Sequence, residues 1–96
     1  MNLQLNYEGF EANLVKKELL LDGVHYVFKF ENRYGASIIK HSGSYGSRKD
    51  LWELAVIKFE NDEDWDICYD TPITSDVIGW QKDEEIRNLL EHIKAL

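Results

Sequence analysis

The hydrophobic period of this chain changes once, and that change restricts the fold more than any other feature. Up to residue 70 apolar side chains recur mostly at every second position. From Lys82 onward Ile86, Leu89, Leu90, Ile93 and Leu96 recur at the 3.6 spacing of an amphipathic helix, with Asp83, Glu84, Glu85 and Lys94 at the ends that a helix dipole favours. A single apolar helix stripe needs a surface to cover, and a one-sided sheet supplies it. The expected class is therefore α+β, a mainly antiparallel sheet of about five strands with a C-terminal amphipathic helix packed on one face. At 96 residues the chain buries roughly 60–65% of its unfolded surface, enough for one domain over residues 1–96.

Within the sheet the sharpest local signal is "KKELLLDGVHYVFKFE". Asp22-Gly23 suits a two-residue hairpin turn with positive φ, which sets Leu21 opposite Val24, Leu19 opposite Tyr26 and Val15 opposite Phe30. Leu19, Leu21, Tyr26 and Phe28 then share a dry face. Lys17 on that face and Lys16 opposite Lys29 are misfits that a bulge or an early splaying of the strands would relieve. Alternation in "NLQLNY" and in the later apolar runs predicts strands over 2–7, 11–21, 24–31, 34–41, 51–60 and 64–70. The run "LWELAVIKF" is apolar on both faces and is expected at the centre. "TSDVIGW" is expected to form a helical turn over 75–80 before the helix at 83–96.

Net charge is −7, and its placement matters more than its size. Seven of the 18 acids lie between Phe59 and Gln81, where there is no Lys or Arg, and the other 11 are matched by the 11 bases. A dominant basic face is missing, so direct nucleic-acid binding is not expected. The longest apolar run is too short to span a bilayer and the first residues lack a signal-peptide pattern, so a cytoplasmic location without membrane contact is expected. The one cysteine, Cys68, has no intrachain disulfide partner.

The acidic segment "ENDEDWDICYD" spaces Asp62, Asp64 and Asp66 like the start of a calcium loop. The sixth position is Ile67 rather than glycine and the twelfth is Ile73 rather than glutamate, so the template fails. His25, His41 and His92 are scattered, and neither a metal nor another cofactor is expected. "HSGSYGSRKD" offers two cations near backbone donors but fits no phosphate-loop pattern. An aromatic ringed by carboxylates resembles the anatomy of a protein interface, which makes Asp62, Glu63, Asp64, Trp65, Asp66, Asp70 and Trp80 the candidate partner-binding set. The competing reading packs both tryptophans under the helix.

Over most of its length, through "YGASIIKH", "SYG", "LWELAVIKF" and "YDTPIT.DVIGW", the chain resembles small proteins encoded by phages and prophages of Gram-positive bacteria. That resemblance implies a role in binding and blocking a host factor, such as a defence enzyme. Together with the charge pattern it leads to the expectation of a non-enzymatic binding protein that presents carboxylates to a basic host protein. Two alternatives remain open: a ligand-binding module or enzyme using the Ser42–Lys49 loop, and a protein that self-associates through a sheet edge.

Overall fold

A computed structural model describes all 96 residues. Six strands form one antiparallel sheet: β1 (Leu14–Leu20), β2 (Gly23–Lys29), β3 (Tyr34–Lys40), β4 (Trp52–Phe59), β5 (Trp65–Ile67) and β6 (Ile78–Gln81), followed by helix α1 (Asp83–Lys94). The order is β1-β2-β3-β4, with β5 and β6 both on the far edge of β4, β5 along Ile57–Phe59 and β6 along Trp52–Leu54. The fold is α+β. As expected for its two apolar faces, β4 is the most central strand, with Trp52, Leu54, Val56, Ile57 and Phe59 all buried.

Helix α1 lies over β3, β4 and β6 and buries Ile86, Leu90 and Ile93 completely, whereas Leu89 and Leu96 sit at the margin of the core. Its start is held by the Glu85 carboxylate, which accepts a bond from the Lys82 N–H at 2.9 Å. Its end is held by Asn32 in the β2–β3 turn, whose Nδ2 donates to the carbonyls of Ile93 at 2.9 Å and Leu96 at 3.1 Å.

Residues 2–7 are not a strand. The alternation was real, since Leu5 is buried and Leu3 and Tyr7 pack against the core, but the segment crosses the inner face of β2 and pairs with no strand. Side chains satisfy its backbone instead. The Tyr26 hydroxyl donates to Leu3 O at 2.9 Å and accepts from Leu5 N. Asp83 accepts from Asn6 N, and Arg87 donates to Asn6 O. Likewise the strand expected over 11–21 begins only at Leu14, after a 3₁₀ turn over Glu11–Asn13.

The first hairpin is displaced by two residues from the expected register. Leu19 faces Val24, Lys17 faces Tyr26 and Leu20 faces Gly23, so Leu21 and Asp22 form the loop and Leu21 rather than Gly23 takes the positive φ, at 55°. Gly23 is required for space, because a Cβ there would lie 1.7 Å from the carbonyl oxygen of Lys40. A shift of two preserves the faces. Yet Leu19 and Leu21 are 83% and 80% exposed, since neither α1 nor the N-terminal segment reaches over β1. The displaced register sets Lys16 opposite Val27 rather than Lys29, a bulge at Val15 follows, and Lys17 folds over the Tyr26 ring at 5.4 Å.

The helical turn expected over 75–80 is also replaced. The Thr74 hydroxyl bonds the Asp76 backbone locally, which competes with helix, and β5 is too short to pair the whole edge of β4. Residues 78–81 fill the open edge beside Trp52 and Leu54.

Candidate functional site

The acidic loop between β4 and β5 is built around Asn61. Its Oδ1 accepts from Glu63 N at 2.9 Å and Asp64 N at 2.8 Å, its Nδ2 donates to Asp64 Oδ2, and Glu60 N closes the turn on Asp64 O. The loop leans over the helix-free face of the sheet, where Lys29 Nζ donates to Asp62 Oδ1 at 2.7 Å. That hydrogen bond, followed by the lysine charge, holds the Asp62 carboxyl below the usual carboxylate range. Trp65 lies over Val27, Ile57 and Phe59, and its ring meets that of His25 edge-on with centroids 6.2 Å apart. It is the partial cover of a second small core on the face away from the helix, so neither expected position for it, a free anchor or a helix-side core residue, describes it.

Three carboxylates that share a calcium-like spacing thus point three ways: Asp62 to Lys29, Asp64 to Asn61, and Asp66 to the position opposite Lys58 on β4. No group of three His, Cys, Asp or Glu side chains is placed to hold a metal ion.

Beyond Trp65 the segment lines a cleft of about 920 Å³ whose walls include Arg33, Lys58, Asp66, Cys68, Tyr69 and Asp70. With Glu60, which also lines it, two cations and three carboxylates share it. Arg33 donates to the carbonyls of Phe59 and Glu60, so its guanidinium clamps the loop as well as bordering the cleft. Cys68 Sγ donates to Asp70 Oδ1 at 2.9 Å; that bond, then burial, pushes the thiol above its ordinary pKa, the reverse of what a nucleophile needs. Ile67 and Tyr69 on this rim are 40% and 52% exposed.

Trp80 does not belong to this group. It is 56% exposed at φ 55° and stacks on Tyr45 with centroids 5.4 Å apart, over a concavity of about 310 Å³ in the Ser42–Lys49 loop at the opposite end of the β4 edge. The loop approaches β6 so closely that a Cβ on Gly79 would lie 2.5 Å from the Tyr45 Cβ. Many of its backbone donors are already engaged: Ser42 with Asp22, Gly43 with His41, Ser44 with His41, Tyr45 with Glu53, and Lys49 with Gly46. This leaves a poor cradle for an anion despite Arg48 and Lys49.

Against these geometries, no family model, curated protein or solved structure matches the chain. No helix is long and apolar enough to cross a membrane.

Sequence reasoning missed two clusters. Ile67 and Tyr69 alternate with Asp66 and Asp70, a pattern visible in the sequence, yet neither stands in the candidate set. The second cluster joins three strands: His25 Nδ1 lies 3.2 Å from Glu18 Oε1 and Nε2 lies 2.8 Å from Ser37 Oγ. Its residues are remote in sequence and carry no motif. Ser37 sits mid-strand, paired with Val27 on one side and Ala55 on the other, and lies outside both concavities described above. The relay orders the sheet surface and holds the Glu18 carboxyl below its usual range, chiefly through the His25 bond.

Proposed function

We propose that this chain is a non-enzymatic, phage-encoded binding protein that uses the rim of its acidic segment to engage a basic host protein. The observation that supports this reading is the alternation of exposed Asp66 and Asp70 with exposed Ile67 and Tyr69, with exposed Glu63 on the preceding loop. Apolar groups of this kind contribute affinity when covered, while surrounding charges guide encounter and select the partner. Tyr69 takes the anchor role assigned to Trp65 on sequence grounds, and Asp62 serves mainly to hold the loop to Lys29.

The test is affinity capture from a bacterial host lysate with native mass measurement of the eluted complex, then association kinetics on the captured partner. A stoichiometric protein lost on Tyr69→Ala, and an on-rate that falls with salt and in Glu63→Gln/Asp66→Asn/Asp70→Asn, is the expected result. Equal on-rates for parent and neutralised chain at low ionic strength would reject the acidic surface as the interface. Inhibition of host defence is tested by expressing the chain in a defended host and counting phage plaques, which should rise.

A further inference from the structure

Beyond β5 the sheet ends in an unpaired edge. Glu60 N donates to Asp64 O and Cys68 N to Val56 O, and in an antiparallel ladder such bonded pairs alternate with unbonded ones. With Phe59 opposite Trp65, Lys58 opposite Asp66 and Ile57 opposite Ile67, the backbone groups of Asp66 point at β4, and those of Trp65 and Ile67 point out of the sheet. We propose that this edge takes up an extended segment of the partner as an added antiparallel strand, and that the segment alternates Lys or Arg with apolar residues. The inference rests on the reading of the acidic rim as the partner surface and supplies its mode of contact.

The two faces of the edge set the alternation. On β4, Leu54 and Val56 belong to the core under the helix, whereas Ile57 and Phe59 join Val27 in the small core on the other face. Asp66, opposite Lys58, is therefore on the helix side, and so is Cys68, whose thiol reaches the Asp70 carboxylate. That side opens on the cleft, which Glu60 also lines. Ile67, 40% exposed, and half-buried Trp65 lie on the other face. A residue added opposite Asp66 or Cys68 thus points its side chain among the carboxylates of the cleft. One added opposite Trp65 or Ile67 lays its side chain along those apolar groups.

Charge selects the occupant. The salt bridges of the protein use Glu18, Asp50 and Asp62, so Glu60, Asp66 and Asp70 keep an unmatched charge. Both cations of the cleft are engaged elsewhere, Arg33 with the carbonyls of Phe59 and Glu60 and Lys58 over the Tyr34 ring at 5.0 Å. A second copy of β5 would bring like charges together across the new ladder, which opposes pairing of this edge with itself. A basic strand meets no such repulsion.

The probe is a short end-blocked peptide alternating lysine with valine, titrated into the intact protein. A contact this small corresponds to a Kd of about 10–100 µM. Methylating the backbone nitrogens of the valines, whose N–H groups aim at β5, should weaken binding at least about tenfold, whereas methylating those of the lysines should change it less than about threefold. With free peptide at about ten times its Kd, amide exchange at Trp65 and Ile67 should slow about tenfold. Ile67→Pro deletes one outward N–H and leaves the bonds to β4 in place, so it should weaken binding at least about tenfold at an unchanged melting temperature. Should that variant unfold, the methylation series on the parent chain decides alone. Equal losses from the two methylations, no protection at Trp65 and Ile67, no peptide binding up to about 1 mM, or self-association abolished by Ile67→Pro would each overturn strand addition and leave the acidic rim standing as a partner surface. Peptide binding unchanged in Asp66→Asn/Asp70→Asn would overturn both.

Discussion

Lys40 is a cation inside the fold, and removing its partner should harm the protein more than removing the lysine itself. Its side chain is 2% exposed, and Nζ donates to Asn2 O at 2.8 Å, Asp50 O at 2.9 Å and Asp50 Oδ1 at 3.0 Å, which uses all three donors, while the Trp52 ring centroid lies 4.1 Å away. Asp50→Asn keeps the size of the side chain and tolerates the left-handed backbone there (φ 61°), but strands the ammonium without a counter-charge. Breaking a buried pair in this way costs about 3–5 kcal/mol; because Asp50 is half exposed, about 2–3 kcal/mol is expected here. Lys40→Met keeps the packing of the stem and removes the desolvated charge. The carbonyls it leaves belong to surface residues that water can reach, so about 1–2 kcal/mol is expected. The double variant should be no less stable than Asp50→Asn alone, a non-additivity of about 2 kcal/mol. Urea denaturation with fitted midpoints and slopes measures all three. Lys40→Met proving the more damaging single change, or costs that simply add, would refute this account.

Gly23→Ala should lower stability by about 2–3 kcal/mol in the same assay, because its Cβ meets the Lys40 carbonyl, whereas Leu21→Gly at the positive-φ position should be neutral or stabilising by up to about 1 kcal/mol. Leu90→Ala, at the fully buried centre of the helix stripe, should cost about 3 kcal/mol and Leu89→Ala, at its margin, about 1 kcal/mol, read from thermal melts; equal losses would show the helix rotated from the orientation described. Glu18, Asp22, Asp50 and Asp62 are each held below the usual carboxylate range by hydrogen bonds, led respectively by His25, the Ser42 backbone, the Asn2 backbone and Lys29. A depressed native pKa adds stability above the unfolded value and loses it as pH falls through the native one, so their contribution should persist down to about pH 4 and disappear below it. A carboxylate-dependent loss at pH 5–6, absent from the matching amide variants, would contradict this.

Local periodicity carried the sequence reading a long way. A period of two with one wet face, followed by a 3.6 period with one dry stripe, determines an antiparallel sheet with a covering helix, because any other arrangement leaves one of those faces in water. The two-sided apolarity of "LWELAVIKF" likewise determined that β4 is central. The acidic segment could be found by counting, but its internal geometry could not, since the bond from Lys29 to Asp62 joins residues 33 apart.

Tertiary structure decided whatever depends on which surface is available. Residues 2–7 alternate like a strand, yet the place beside β1 stays empty while Tyr26, Lys40, Asp83 and Arg87 supply polar groups across the inner face of the sheet, so the segment takes its hydrogen bonds from side chains. The hairpin slid by two residues because Gly23 is needed where the Lys40 carbonyl approaches, a contact between strands that no dipeptide rule contains. Residues 78–81 became a strand because the short β5 left part of the β4 edge unpaired, and this carried Trp80 away from the carboxylates to Tyr45. Leu19 and Leu21 have the pattern of core residues and stand in solvent because the helix and the N-terminal segment end short of β1. Pattern determines which side of an element is apolar, whereas the reach of the covering elements determines whether that side is buried.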